Sequence, residues 1–552
     1  MRLFIKIPGV RRLMARRARI RLIRVMRGYR RLKAAGALGR VAAVKEALTA
    51  TPACQPSDAM RFLGLEVAQA ELAVRQFLLV RRVATGLSEA LLESVGNHDA
   101  PVRYALPLKW RDVLRSHGFP VAERVSALLW AGFNALYFAN GLLTVFKLAL
   151  ANAAGLVRAK SRPPGRYVYF DALGAGNLPS AGKDTDNYNI VNWYLGWAQR
   201  ATDIDQVCHG VANAGMRFAS STPVISMQSP LLPLNDRYAL AQFFRWGVVY
   251  GCAALLGLLR GNWWPALMLG EAAKAAQVRF QEPALLARDY LFHNSNWIYR
   301  PLWTYEAERK GARIIFYFYS TNCEKFQHSG THSSLAYGWQ AMSWPLYIVW
   351  DEYQAAFVRR AAGDSAHINV VGSISFNSGT NVPRDLPGHA IAVFDVQPMR
   401  DAIYKPLGLD FEYYVPRNAV RFLDDIRLAT LMAGETMVLK RKRDVGNNLH
   451  PAYELAIRRL SKTANYLELD PDTSASALIE NCQAVISMPF TSAALIGREM
   501  GKPSIFYDPH SVCEKDDHAA HGIEVVSGYK ELVLWINALP ARLGFTGSGS
   551  EN

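Results

Sequence analysis

The stretch VISMPFTSAALIGREMGKPSIFYD, residues 485–508, restricts the fold more than any other part of this chain. Val485 and Ile486 read as a buried strand that runs into a turn at Pro489-Phe490. A helix, SAALIGREM, follows with the hydroxyls of Thr491 and Ser492 at its N-terminus. Gly501 and Pro503 stop it before a second apolar strand. Strand, turn, helix and strand in so short a span predict an α/β unit. Upstream, residues 438–460 (VLKRKRDVGNNLHPAYELAIRRL) repeat the pattern. A short strand at 437–439 leads into four cations, Lys440, Arg441, Lys442 and Arg443, then a Gly-Asn-Asn loop. His450-Pro451 opens a helix there. Proline suits a first helical turn, so His450 stands at the helix entrance beside exposed amides. A helix N-terminus at the carboxyl end of a strand offers those amides to a phosphate. A lone Thr-Ser pair is more often a plain helix cap. Two units with complementary chemistry, one of imidazole and cations and one of hydroxyls, favour a phosphate site.

With 552 residues the chain exceeds one ordinary core, so two packed domains plus extra segments are expected. Its six cysteines (54, 208, 252, 323, 482 and 513) are scattered, without a CxxC pair or ligand-like spacing to histidine. That usage favours reduced thiols over a disulfide framework or a zinc site. The net charge of +17 is a property of the N-terminus. Residues 1–45 hold fifteen Arg or Lys and no acid, which leaves +2 for the rest once those fifteen are subtracted. Val10, Met14, Ala18, Leu22, Val25, Tyr29 and Leu32 step by three or four, so a helix here carries one apolar stripe flanked by arginines. Such a helix suits an anionic membrane surface. Arginines interrupt every candidate signal-peptide core, whereas an Arg-rich transit peptide has the same composition. Nucleic-acid binding is disfavoured by the near-neutral remainder. Residues 125–146 form a charge-free run of 22 between Arg124 and Lys147, long enough to span a bilayer. Residues 246–259 are apolar, followed by paired tryptophans, and are too short to cross.

The pattern divides the chain into a basic, helical, membrane-associating region at 1–160, a first Rossmann-like domain at 165–380 and a second at 388–540. A low-complexity tail, GFTGSGSEN at 544–552, resembles an added linker and is set aside. The first domain opens on YVYFDALGAGNLP, a strand reaching Asp171 and a glycine-rich loop that includes Asn177. It continues through RIIFYFYS (313–320), the strand ending at Asp351-Glu352 and INVVGSISF (368–376). The expected fold class is therefore α/β, with two Rossmann-like domains facing a cleft and a helical N-terminus.

The ordered series FYFYSTN, VWDEYQ, VVGSISF, VFDVQP, LKRKR, HPAYELAI and MPFTSAALIGREMGKPSIFYDP resembles bacterial polysaccharide-biosynthesis proteins called after a Pro-Phe-Thr-Ser motif, over residues 165–535. The His-Pro pair followed by a Ser/Thr element is further similar to two-domain GT-B glycosyltransferases that use CMP-activated acidic sugars, the Kdo transferases and sialyltransferases. That resemblance implies a metal-independent transferase without a cofactor. His450, with Pro451, would bind or protonate the leaving phosphate, and Thr491 and Ser492, set by Pro489, would grip it. Lys440, Arg441 and Arg443 supply candidate cations. The insertion RKRDVGNN, where related enzymes have a compact Lys-Pro-His-Pro, departs from the pattern and leaves the donor open.

An inverting transfer needs a base for the acceptor hydroxyl and a retaining one a carboxylate nucleophile. Asp395, Asp401 and Asp171 are the candidates in that order. His293 and Asn177 are assigned to the acceptor side, His293 being as suited to satisfying a backbone carbonyl. The acidic and histidine-rich segment EKDDHAAHG (514–522) is read as a loop and no metal site is assigned. The expectation is a glycosyltransferase on the cytoplasmic face of a bacterial inner membrane. Its partners would be a nucleotide-sugar donor, a glycan or glycolipid acceptor and an anionic membrane surface, without nucleic acid. The alternatives are a transferase using CDP-glycerol or a UDP-sugar, and a non-catalytic membrane scaffold.

Overall fold

The computed structural model describes residues 8–157, 165–179, 189–198, 204–321, 323–324, 326, 335, 337–374, 386–399, 413–441, 446–471 and 473–539. Asp401, Lys442, Arg443 and the 544–552 tail lie outside them. The first domain contains β1 (Tyr167–Phe170), β2 (Gln206–His209), β3 (Arg217–Ala219), β4 (Thr222–Ser226), β5 (Asp289–His293), β6 (Arg313–Tyr317), β7 (Tyr347–Val349) and β8 (Ile368–Val370). They form one sheet in the order β3-β4-β2-β1-β5-β6-β7-β8, parallel except for the β3–β4 pair. The second contains β9 (Ala390–Phe394), β10 (Thr436–Lys440), β11 (Tyr466–Leu469), β12 (Ala484–Ser487), β13 (Ser504–Asp508) and β14 (Glu524–Ser527). Their order, β11-β10-β9-β12-β13-β14, is that of a dinucleotide-binding fold. β9 is buried at every position and β12 likewise, which explains why both read as unbroken apolar runs rather than alternating ones.

Strand order fixes where a ligand can bind. Chain direction away from the first strand reverses between β1 and β5 in one sheet and between β9 and β12 in the other. Adjacent loops diverge there and open a crevice at the carboxyl ends. Phe394 is flanked in register by Lys440 of β10 and Ser487 of β12, so Asp395, Arg441 and Met488 emerge together at the second of these points. Asp171 emerges from β1 beside β5, its amide donating to Leu291 O at 2.8 Å.

The N-terminal region is helical as expected, with one correction. Helix Pro8–Ala34 packs its later turns on helix Ser88–Gly96, and Val25, Tyr29 and Leu32 of the predicted stripe are buried there with Leu91, Leu92 and Val95. Arg21 pairs with Glu89 and Glu93, Arg24 with Glu93, and Arg31 with Asp99. Much of the stripe is therefore covered by protein. Among the described side chains of the stripe, Ala18 and Leu22, the latter at 42% exposure, face outward. The backbones touch where the helices cross. A Cβ on Gly28 would lie 1.9 Å from Leu92 O, and one on Gly96 would lie 1.8 Å from Arg24 O. Gly28→Val should therefore push the pair apart and cost about 1–3 kcal/mol or more, read as a drop in thermal unfolding temperature.

A second correction concerns the apolar segments. Helix Glu123–Val157 is 35 residues long, and the segment thought too short to cross is the later part of a 23-residue helix, Arg237–Leu259. Arg245, inside that helix and just before the apolar segment, hid its length in the sequence. Both pack on helix Trp264–Phe280, and both are long and apolar enough to cross a membrane. Trp130, Asn134, Ala149 and Asn152 are buried along nearly the whole of the first helix, whereas Leu128, Leu136, Phe146 and Leu150 point outward at 54% exposure or more. One side is thus bound to protein and the other is exposed and largely apolar, interrupted by Asn140 and Lys147.

Candidate active site

The second domain brings most of the predicted donor residues to one sheet edge. His450 is the N-cap of helix Pro451–Leu460, and its Nδ1 accepts from Ala452 N at 3.2 Å. With Nδ1 acting as acceptor, a neutral ring carries its proton on Nε2, which is left as a donor. The His450 amide bonds Pro398 O at 3.0 Å, and Leu449 bridges to Met399, so the imidazole is tied to the loop after β9. Asp395 is 2% exposed. Tyr453 donates to its Oδ2, and Oδ1 is buried without a partner. Burial pushes its pKa up to about 6, against the opposing Tyr453 hydroxyl and Arg441. Arg441 itself faces Glu468 of β11, Nε to Oε1 at 2.7 Å, and the Lys440 amine lies 3.5 Å from Arg441 O.

The Pro-Phe-Thr-Ser turn follows β12, and the Pro489–Phe490 peptide is cis. Tyr414 donates to Pro489 O at 2.6 Å, and the buried Phe490 ring packs on Phe326 and Phe506 at 4.7 and 5.3 Å. Thr491 occupies the N-cap of helix Ser492–Glu499 but makes no side-chain cap bond. Its hydroxyl is buried and unpartnered, as is that of Ser487. The simple cap reading of Thr491 therefore does not describe this turn. Ser492 has a different task. Its Oγ accepts from Thr321 N at 3.2 Å and lies 3.2 Å from Thr321 Oγ1, joining the turn to the first domain. A cavity of about 620 Å³ adjoins the entrance of the His450 helix, walled by Arg417, Arg421, Ala452, Pro509 and His510.

The first domain presents Asp171 at its own crevice. Its pKa is pushed up by burial to about 6, partly offset by Lys274. Among the described residues no side chain or amide donates to this carboxylate. His293, at the end of β5, spends both nitrogens locally: Nε2 lies 3.2 Å from Ala172 O and Nδ1 accepts from Ser295 N at 3.2 Å. Burial lowers its pKa, so the ring is neutral and braces the loop that carries Asp171. This is the carbonyl-satisfying alternative. Asn177 ends the short turn Ala175–Asn177 in the same loop.

Contacts between the domains use residues to which the sequence assigned no such role. Asp351 caps helix Glu352–Ala362 through Gln354 N and meets His521 Nδ1 at 2.8 Å and Arg498 at 3.8 Å. Burial opposes its charge, but the His521 hydrogen bond and the neighbouring cations outweigh it and hold the carboxyl below its usual range. Ser373 N donates to Glu499 at 3.0 Å. The carboxyl ends of β6, β7 and β8 thus meet the second domain through Thr321, Asp351 and Ser373. Tyr453, Thr321 and His521 carried no sequence signal beyond standing near strand ends or histidine motifs.

Among solved structures, the chain is similar to the wall teichoic acid polymerase TagF, with 10% identity over 73% of this chain and 90% of that one and a TM-score of 0.36. A glycosyltransferase of kitacinnamycin is 11% identical over 70% and 94%, with a TM-score of 0.36. The UDP-GlcNAc 2-epimerase from Methanocaldococcus jannaschii is 7% identical over 70% and 93%, with a TM-score of 0.34. No curated relative matches the sequence. The family model described as polysaccharide biosynthesis PFTS motif protein matches residues 240–536, more than half of the chain and including the Pro489–Ser492 turn, and this protein belongs to that family.

Proposed function

We propose that this protein is a GT-B glycosyltransferase that moves a sugar from a nucleotide donor, foremost a CMP-activated acidic sugar such as Kdo or a nonulosonic acid, to a cell-surface polysaccharide or lipopolysaccharide. The observation that carries the reading is a switch-point crevice at the carboxyl ends of each of the two sheets. One bears an unpaired carboxylate, Asp171. The other bears two helix entrances, the His450 Nε2 donor and the buried Thr491 hydroxyl. Cleavage of a sugar–phosphate bond builds negative charge on the leaving group. Fixed amides, a hydroxyl and an imidazole N–H stabilise that charge without a metal. The cavity of about 620 Å³ beside Ala452 is large enough for the rest of a pyrimidine nucleotide. Asp171 takes the acceptor proton, and its partial burial holds it ready near neutrality. Asp395, enclosed and bonded to Tyr453, sets the second crevice from below.

Membrane association belongs to the same proposal. The bare outer faces of helices Glu123–Val157 and Arg237–Leu259 lie in the cytoplasmic leaflet while their inner faces stay on the protein body, a monotopic arrangement. This brings the catalytic edges to a membrane-bound glycan or glycolipid acceptor.

Calorimetric titration with CMP, UMP and cytidine tests the donor assignment. CMP should bind, and cytidine should bind more weakly for want of the phosphate. Binding of UMP or CDP-glycerol in preference to CMP would reassign the donor, and no nucleotide binding at all would favour a scaffold. Thr491→Val should weaken CMP about ten-fold or more, since a hydrogen bond to a charged group is worth about 1.5–3 kcal/mol, and leave cytidine unchanged. Because its hydroxyl has no protein partner, the variant should melt no earlier than the parent.

A further inference from the structure

We propose that the helical region holds a second binding site, a pocket for the headgroup of an anionic phospholipid, where helix Arg237–Leu259 turns into helix Trp264–Phe280. The turn is tight: Gly261 has φ +78°, and Asn262 N returns to Gly257 O at 2.8 Å. Against it stand the start of helix Leu108–Ser116 and the loop at residues 53–57, enclosing about 420 Å³. The lining includes Lys109, Arg260, Gln55, Asn262 and Trp263, and no acid. Lys109 donates to Gln55 at 2.9 Å, and Arg260 makes no ion pair among the described residues. Glu71, a buried acid whose charge is felt by Lys109, is engaged by Ala53 N at 2.9 Å and by Arg75.

The surroundings identify the ligand. Trp263 packs edge-on against Trp130 at 5.0 Å, which joins the turn to the first part of helix Glu123–Val157. Beside the turn the surface is apolar and bare at Leu108, which lines the pocket at 59% exposure, and at Leu259, next to Arg260, at 75%. Two cations, three neutral hydrogen-bonding side chains and two indoles, beside the exposed Leu108 and Leu259, match a phosphate that arrives with acyl chains attached. A soluble phosphate ester would use the cations and leave the two leucines bare. The inference rests on the membrane reading above and adds to it a fixed headgroup position.

Co-sedimentation of the full-length protein with vesicles at physiological salt provides the test. One vesicle is phosphatidylcholine alone and the other contains phosphatidylglycerol. The parent should bind both and prefer the anionic vesicle. K109Q/R260Q should lose about ten-fold or more of that preference and retain binding to phosphatidylcholine. R16Q/R17Q, which removes two exposed cations from the N-terminal helix, should lose no more than about three-fold. Equal losses in the two variants would reduce the effect to net charge and overturn the pocket. A parent that binds both vesicles equally would also overturn it, leaving the membrane reading intact. A parent that binds neither would overturn both. Free glycerol phosphate at millimolar concentration should not abolish the preference; if it does, the ligand is a soluble ester and the lipid assignment fails.

Discussion

Replacing Asp171 by Asn should lower kcat by about 10²–10⁴-fold while leaving the affinity for the nucleotide donor unchanged, because the side chain stands on the first domain and the donor phosphate on the second. The pH profile gives an independent readout. Burial pushes the Asp171 carboxyl up to about 6, so the base is ionised above that pH and protonated below it. Parent activity should fall about ten-fold per unit as pH drops through and below 6, and the residual activity of the variant should lack that limb. Asp395 is also pushed up to about 6, so the limb alone does not separate the two carboxyls. Asp395→Asn separates them by stability, because it disturbs a buried bond with Tyr453, whereas Asp171→Asn leaves the melting temperature near that of the parent. Unchanged kcat in Asp171→Asn would remove this residue from the chemistry.

His450→Ala should reduce kcat by about 10²–10³-fold, the cost of losing one positioned donor to a developing anion. The substitution also removes the acceptor for Ala452 N, a cap worth about 1 kcal/mol, so a small fall in melting temperature accompanies it. His450→Asp distinguishes the two effects. Aspartate is a strong N-cap and preserves the helix, but its charge faces the phosphate. It should melt like the parent and be at least as inactive as the alanine variant. If His450→Asp restores activity, the histidine serves only as a cap.

The strands β1, β6, β7, β10, β12 and β13 and the helices opened by Pro451 and Ser492 were legible in the sequence. Their signals are local: apolar runs of strand length, a proline in a first turn, a glycine at a stop. The Pro-Phe-Thr-Ser turn was legible for the same reason, and it lies at a carboxyl edge as its pattern required. Local pattern did not reveal which hydroxyl is occupied. Thr491 and Ser492 are adjacent and chemically alike, yet the Ser492 hydroxyl bonds Thr321 of the other domain and the Thr491 hydroxyl has no partner.

The N-terminal helix teaches the same lesson. Its stripe of apolar residues and its arginines predict an amphipathic helix, which it is, but a stripe does not say what covers it. Protein covers Val25, Tyr29 and Leu32 because Gly28 and Gly96 let two backbones touch, a complementarity between positions far apart in the chain. His293 likewise lost its catalytic freedom to Ala172 O and Ser295 N, and Asp351 found His521 across the domain boundary. By itself the sequence determined the elements, their order and the chemistry delivered to each strand end, because hydrophobic period and turn residues act over a few positions. Only the tertiary structure decided which side chains pair, which carboxylate stays open and which apolar faces remain bare, because those outcomes depend on surfaces brought together from distant parts of the chain.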